Sequence, residues 1–434
     1  MSKARVLVLA TTLPAVRDDG TPQFVLDLSL GLQETFDVLI VAPRVPAGKR
    51  AEEMDGLRIE RFAYFPRRWE SLADGAMLPN LKARPSTALQ VPFLLGSFLW
   101  SSFRAGRRFR PDVIHAHWLV PGGFVALVVS KLLSVPYVVT VHGADAFALR
   151  AGGLQWLKRV IMRNAAVVGL TSSALAEAVP EVRSVPQPVI PMGVDVDGFA
   201  EGVGEREPIF GQLLFVGRLA EKKGVDVLLH ALAEVPDATL VVGGDGPDAD
   251  RLQTLSDELG VCDRVRFAGR LSRPMIRDEL RTAYAVVIPS KVAADGDQDT
   301  TPLVMSESMS AAVPVIASRL GGLAEQIEPE VTGLLAEPDS AGSLAETLRN
   351  ALADPEQLAG YGRQARDRIR GSALDLRTTV ARYADILAGV AGAGSSSAQG
   401  LSGWPAGEED EGRQERPSDG VEETGGERQS ADGS

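Results

Sequence analysis

A short apolar run, an acidic loop and a helix that opens on Thr-Pro, all within residues 285–318, constrain this chain more than any other feature. Ala285 to Pro289 has the length and composition of a buried strand. Asp295 to Ser318 follows as D-G-D-Q-D-T-T-P-L-V-M-S-E-S-M-S-A-A-V-P-V-I-A-S. Thr301 is the expected N-cap and Pro302 the expected first helical residue, because the N–H that proline lacks is one the first turn cannot use. Pro314 ends the helix, and Val315 to Ala317 reads as the next strand. Strand, helix and strand in this order imply an open α/β sheet, which binds ligands beyond the carboxyl ends of its strands. The free amides of Leu303 and Val304 point toward that loop and, with the positive end of the helix dipole, favour an anion such as phosphate. Asp299 before the helix and Glu307 in its second turn flank the amides. Two acids so placed suit hydroxyl groups on either side of a diphosphate, as on a ribose and on a transferred sugar.

At 434 residues the chain exceeds the size of one hydrophobic core, so two domains are expected. They are placed at 1–200 and 201–371, with a terminal helix at 372–390 and an acidic, disordered tail at 391–434. The tail is rich in Ser, Gly and Glu and has too few apolar residues to offset its ordering entropy. Cys262 is the lone cysteine, which excludes an internal disulfide framework and fits a reducing, cytoplasmic compartment. The first apolar run is too brief for a signal peptide, and no stretch is long enough to span a membrane. Net charge is uneven: +5 over residues 1–200, −10 over 201–390 and −7 over the tail. Only the first part is basic. It holds the apolar run Val91 to Phe103 followed by Arg104, Arg107, Arg108 and Arg110, read either as a buried helix with a solvated basic end or as a helix in a membrane interface. Peripheral contact with an anionic membrane is thus one expected partnership, and nothing in the sequence points to nucleic acid.

Further apolar runs at Val6–Leu9, Phe36–Ala42, Leu57–Phe62, Val113–His117, Val138–Val141, Val167–Thr171 and Val189–Val194 are expected strands, with Phe24–Leu32 at helical spacing. His115 and His117 share one strand face and His142 ends the next strand. A zinc site is one reading of the three histidines; hydrogen bonding at strand ends is the other. In the second half, Leu213–Val216 leads into Gly217-Arg218-Leu219-Ala220-Glu221-Lys222-Lys223-Gly224. A cation on each side of a strand-to-helix turn suits a diphosphate, above all one on which charge builds as it leaves. Thr239–Val242 leads into Gly243-Gly244-Asp245-Gly246-Pro247-Asp248-Ala249, a G-x-G-x-x-A pattern. A dinucleotide site also needs an acid at the end of the following strand, and Val265–Ala268 ends instead in Gly269-Arg270. The pattern is therefore read as a tight turn near a nucleotide.

These segments, in this order, resemble the retaining glycosyltransferases of the GT-B fold, family 4, over about residues 4–390. The resemblance implies two doubly wound, Rossmann-like α/β domains facing a cleft, and front-face transfer of a sugar from a nucleotide-diphospho-sugar to a glycan, lipid-linked or small-molecule acceptor. It assigns Arg218, Lys223 and the Thr301-Pro302-Leu303-Val304 helix start to the diphosphate, and Glu307 to the ribose. Asp299 goes to the sugar hydroxyls, His142 to the reacting end, Gly20 to a backbone approach to the donor, and Gly269-Arg270-Leu271 to the base. The family usually has glutamate where this chain has Asp299. No cofactor and no metal are expected, although Asp295-Gly296-Asp297 is a D-x-D. A nucleotide-sugar epimerase and a noncatalytic nucleotide-sugar-binding protein are the alternatives.

Overall fold

Short β-branched runs alternating with helices build two sheets. The computed structural model describes residues 3–393 apart from 47, 75–76, 78–79, 82–83, 148–151, 203, 205–206 and 300. The first sheet contains β1 (Arg5–Leu9), β2 (Asp37–Pro43), β3 (Ala51–Met54), β4 (Leu57–Phe62), β5 (Val113–His117), β6 (Tyr137–Val141) and β7 (Val167–Leu170), in the order β3-β4-β2-β1-β5-β6-β7. The second contains β8 (Gln212–Val216), β9 (Thr239–Gly243), β10 (Val265–Gly269), β11 (Ala285–Ile288), β12 (Val315–Ser318) and β13 (Leu334–Ala336), in the order β10-β9-β8-β11-β12-β13. Every pairing is parallel except β3 with β4. Helices cover both faces, so β5, β6 and β11 are buried along their whole length, which is why they read as unbroken apolar runs. Each order reverses direction beside its first strand, and the carboxyl ends around that reversal face the cleft.

Two strands carry no pattern that separates them from loops. β3 is a polar edge strand, A-E-E-M, and β13 is three residues long. Conversely, the expected strand at Val189–Val194 makes only isolated bridges, Leu170 with Val189 and Val194 with Asp375. Pro188 and Pro191 remove the donors that a continuous ladder needs.

The last helix, Leu376–Ala393, returns to the first sheet and packs on the Phe24–Leu32 helix. It begins later than expected because Asp375 acts as a cap, its carboxylate accepting from the backbone of Arg377 at 2.9 Å and of Gly371 at 3.0 Å. Glycine notches admit it: a Cβ on Gly31 would lie 2.4 Å from Val380, and one on Gly169 would lie 2.6 Å from the Tyr383 hydroxyl. Tyr383 is wholly buried among Val6, Val8 and Leu26 of the first core. The helix ends at Ala393, and the expected tail from there to 434 lies outside the described residues.

Tyr383→Ala is therefore expected to destabilise the first domain by about 3–5 kcal/mol, the range for emptying a buried aromatic site. Tyr383→Phe, which loses only the hydroxyl that accepts from Thr140, should cost about 1 kcal/mol. Denaturant unfolding followed by far-UV circular dichroism measures both.

Candidate functional site

Between the carboxyl edges of the two sheets lies a cavity of about 430 Å³. Thr12 and the Gly20–Phe24 segment line it from the first domain, and Arg218, Lys223, Arg270, Leu271, Arg273, Leu303, Val304 and Glu307 from the second. Gly20 has φ +80° and sits against the second domain, where a Cβ would lie 2.8 Å from the Arg270 side chain.

The loop that carries Arg218 is held by the G-x-G-x-x-A segment. Gly244 takes φ +147°, and a Cβ there would lie 1.8 Å from the Gly217 carbonyl oxygen; one on Gly246 would lie 2.2 Å from that of Leu219. The Leu219 amide donates to the Asp245 carbonyl at 3.0 Å. These glycines therefore let two backbones nest. Arg218, so placed, has a buried Nε with no hydrogen-bond partner among the described residues. Its pKa is lowered, first by burial and then by Arg270, with Asp245 opposing. A guanidinium in this condition has capacity for an anion.

Lys223 precedes Gly224, whose φ of +64° lets the turn press on the end of β11; a Cβ there would lie 1.9 Å from the Pro289 oxygen. Its Nζ donates to Asp299 Oδ2 at 2.7 Å, and Ser290 Oγ donates to the same oxygen at 2.6 Å. Lys222 stands 3.8 Å from Asp299 Oδ1 and donates to Asp297 Oδ1 at 3.2 Å. Burial pushes the Asp299 pKa up, but Lys223, Lys222 and the two hydrogen bonds outweigh it and hold it below the usual carboxylate range. The Asp299 carboxylate is thus bonded to Lys223, which lines the cavity, at the position where the sequence places a contact with the sugar hydroxyls.

The Leu303–Ser310 helix also differs from expectation by one residue. Pro302, with ψ 131°, is still extended and occupies the cap position in place of Thr301; the Leu303 and Val304 amides still open the helix at the cavity wall. Glu307 is 7% exposed on that wall. Its pKa is pushed up to about 7 by burial, with Arg273 and Arg277 opposing and Asp27 reinforcing.

The likeness to known proteins bears on this geometry. Residues 205–368 match the family model described as "Glycosyl transferases group 1", and residues 19–193 match a "Glycosyl transferase 4-like domain". A D-inositol 3-phosphate glycosyltransferase of Mycobacterium sp. (strain KMS) is 30% identical over 321 residues, 65% of this chain and 69% of that protein. This chain is a group 1 glycosyl transferase. A glycogen synthase of Mycobacterium tuberculosis (strain ATCC 25618 / H37Rv) is 27% identical over 411 residues, 88% of this chain and 94% of that protein. The two-domain GT-B fold is shared with a sucrose-phosphate synthase from Thermosynechococcus elongatus, at a TM-score of 0.72 and 21% identity, covering 90% of this chain and all of that one.

In this transferase His142 does not line the cavity. Phe24, which does, packs its ring 4.9 Å from His142, and Trp118 lies at the same distance. His142 Nε2 is 3.0 Å from His117 Nδ1, the His117 and His115 rings are 4.4 Å apart, and His115 Nε2 is 2.9 Å from Thr140 Oγ1. Thr140 donates to the Tyr383 hydroxyl at 2.9 Å. Burial pushes His115 and His142 down to about 3, and lowers His117 well below its ordinary value, so all three are neutral near pH 7. Among the described residues no group of three or more His, Cys, Asp or Glu is placed to hold a metal ion.

A buried pair across the cleft has no counterpart in the sequence reading. Arg273 Nη2 of the second domain donates to Asp27 Oδ2 of the first at 2.5 Å, and both side chains are about nine-tenths buried, at 11% and 8% exposure. An acid inside the mostly apolar F-V-L-D-L-S-L-G-L helix is the signal that could have found it.

If Asp299 acts through Lys223, Asp299→Ala should weaken binding of a nucleoside diphosphate, which carries no sugar to transfer, by about tenfold. That loss should vanish in a Lys223→Ala background. A titration-calorimetry double-mutant cycle decides, and unchanged affinity in the single variant would return Asp299 to a sugar contact.

Stability should also respond to pH in two windows. The native histidines cannot take the protons that unfolded ones bind below about 6.5, so stability falls as pH drops from there toward 3. Glu307 acts in the opposite sense: its raised pKa favours the fold at low pH, and that contribution is lost as pH rises from the unfolded value of 4.5 through about 7. Glu307→Gln should flatten the second window and leave the first, as read by thermal melts between pH 4 and 8.

Proposed function

We propose that this transferase moves a hexosyl group, with retention of configuration, from a nucleotide-diphospho-sugar to a hydroxyl of a glycan or lipid-linked acceptor. The observation that carries the reading is Arg218, a buried guanidinium with an unpartnered Nε, set in one cavity wall with Lys223 and the amides of Leu303 and Val304. Cations and a helix start converging there suit a diphosphate. Glu307 then faces the ribose, and Arg270 and Leu271 flank the base. Relatives named as a glycogen synthase and a D-inositol 3-phosphate glycosyltransferase support a hydroxyl acceptor.

In the step itself the bond from the sugar C1 to the β-phosphate oxygen breaks, and its electron pair leaves with the diphosphate. Arg218, Lys223 and the helix amides stabilise that growing charge. The acceptor oxygen bonds C1 on the face the diphosphate vacates, and its proton passes to a departing phosphate oxygen. Asp299, engaged by Lys223 and Ser290, is not poised as a covalent nucleophile. His142, beneath Phe24, supports the floor of the acceptor side rather than the reacting atoms.

Arg218→Ala and Lys223→Ala should each weaken nucleoside diphosphate binding by about tenfold or more, since a charge-assisted bond contributes roughly 1.5–3 kcal/mol. Chelating divalent metal should leave turnover unchanged, because these cations already supply the charge a metal would, and Lys222 already engages Asp297 of the D-x-D. The deciding assay supplies UDP-, GDP- and ADP-hexoses with and without acceptor and reads the product anomer by NMR. Nucleotide release without acceptor, or an inverted anomer, would overturn the reading.

A further inference from the structure

The cleft leaves one unusual surface of the first domain without a role. Between Asp74 and Asp145 the chain holds a single acid, Asp112, against seven Lys and Arg, in a protein of net charge −12. Asp112 is spoken for: its carboxylate accepts from the Arg5 backbone at 2.7 Å. The Val91–Phe109 helix dominates this stretch. It buries Leu94, Phe98, Ala105 and Phe109 against the sheet, and turns Phe93, Trp100, Arg104 and Arg107 outward at successive helical spacings.

The outward side chains join an aromatic stripe. Phe65 connects Trp69, at 6.4 Å between ring centres, to Phe93, at 5.5 Å, and Trp100 lies 6.2 Å from Phe103 further along the helix. Leu89 is 72% exposed, Trp100 64%, Phe93 57% and Trp69 53%. Arginines lie on the same stripe, Arg68 over Trp69 at 4.1 Å and Arg107 over Phe103 at 5.9 Å. Among the described residues neither of them, nor Arg104, makes an ion pair. Isolated exposed apolar residues are ordinary; two ring groups on one helix face, edged by arginines that make no ion pair among the described residues, mark a docking surface.

We propose that this face docks on an anionic lipid bilayer. Trp69, Leu89, Phe93 and Trp100 enter the headgroup region, where indole and phenyl rings settle, and Arg67, Arg68, Arg104 and Arg107 meet lipid phosphates. Charge complementarity selects this occupant. A second copy of the chain would bring the same uncompensated arginines against themselves, whereas an anionic surface neutralises them. No described helix is long and apolar enough to cross a membrane, so the contact is peripheral. Topology also relates the face to the cleft. β4 is parallel to β1 within one sheet, so the segment carrying Trp69 leaves the same edge as the one carrying Gly20. On the transferase reading, the acceptor side of the cavity then opens near the lipid surface, which suits a lipid-linked acceptor.

The test is flotation of the full chain with phosphatidylglycerol-rich and with pure phosphatidylcholine vesicles, in the absence of donor, so that its outcome does not depend on turnover. The protein should float with the anionic vesicles only, and less as salt is raised. Phe93→Ser/Trp100→Ser should abolish flotation, and Arg104→Gln and Arg107→Gln should each weaken it roughly fivefold. All variants should keep the wild-type melting temperature and nucleotide affinity, because the altered side chains are exposed and away from the cavity. No flotation at low salt, equal flotation with both vesicles, or indifference to the substitutions overturns the proposal. So does concentration-dependent dimerisation in vesicle-free buffer that Phe93→Ser/Trp100→Ser removes, which would make the face an interface between copies.

Discussion

The ion pair between Lys223 and Asp299 decides where positive charge stands in the cavity. A lysine stem is flexible, and an ammonium left to itself would sample the cleft and its solvent. Here a buried carboxylate, itself held by Ser290 and approached by Lys222, fixes that ammonium at the end of β11. The carboxylate stays charged against the cost of burial because two lysines stand beside it. Arg218, in the same cavity wall, has no such counter-ion at its Nε. One cation is thus anchored and the other left open, an asymmetry suited to an anion that must be bound and then released as a leaving group.

Backbone proximity does the rest of the positioning. The Gly217–Leu219 loop rests on Gly244 and Gly246, and the Lys223 turn rests through Gly224 on Pro289. Any side chain at these glycines would collide with a carbonyl oxygen, so the loops have little room to drift. Across the cleft, Gly20 meets Arg270 and Leu271, and Asp27 meets Arg273. A buried pair spanning two domains is weak evidence of stability, since desolvation offsets most of its attraction, but it specifies one relative placement of the domains. Glu307 lies within the field of that pair, so its proton affinity depends on how the domains meet.

Much of this was legible in the sequence because it is periodic or local. Strands buried on both faces announce themselves as apolar runs, and β1, β5, β8 and β11 lie where those runs are. The cations around one strand-to-helix turn are adjacent in the chain, so Arg218 and Lys223 needed no tertiary knowledge to be paired. What escaped is what depends on contact between distant segments. Asp299 is followed closely by the helix it was expected to serve, yet its partner comes from residue 223, and only the fold brings the two together. His142 follows its strand at the cleft, but the ring packed against it, Phe24, comes from a helix more than a hundred residues earlier. β3 and β13 escaped for a different reason: a polar edge strand and a three-residue strand have no period to read.

The histidine column links the cavity wall to the interior of the first domain. His115, His117 and His142 stack from the Thr140–Tyr383 contact toward Phe24, and the last helix supplies Tyr383. That helix follows the whole second domain in sequence but packs in the first core, so closing the chain on itself completes the stack. Neutral imidazoles in such a stack offer flat faces and few unmet charges, and the ring of Phe24 rests on the outermost of them. The ring contacts beneath Phe24 therefore depend on the last helix being in place, and loosening Tyr383 should loosen Phe24 before it disturbs Arg218 or Lys223, which belong to the other domain.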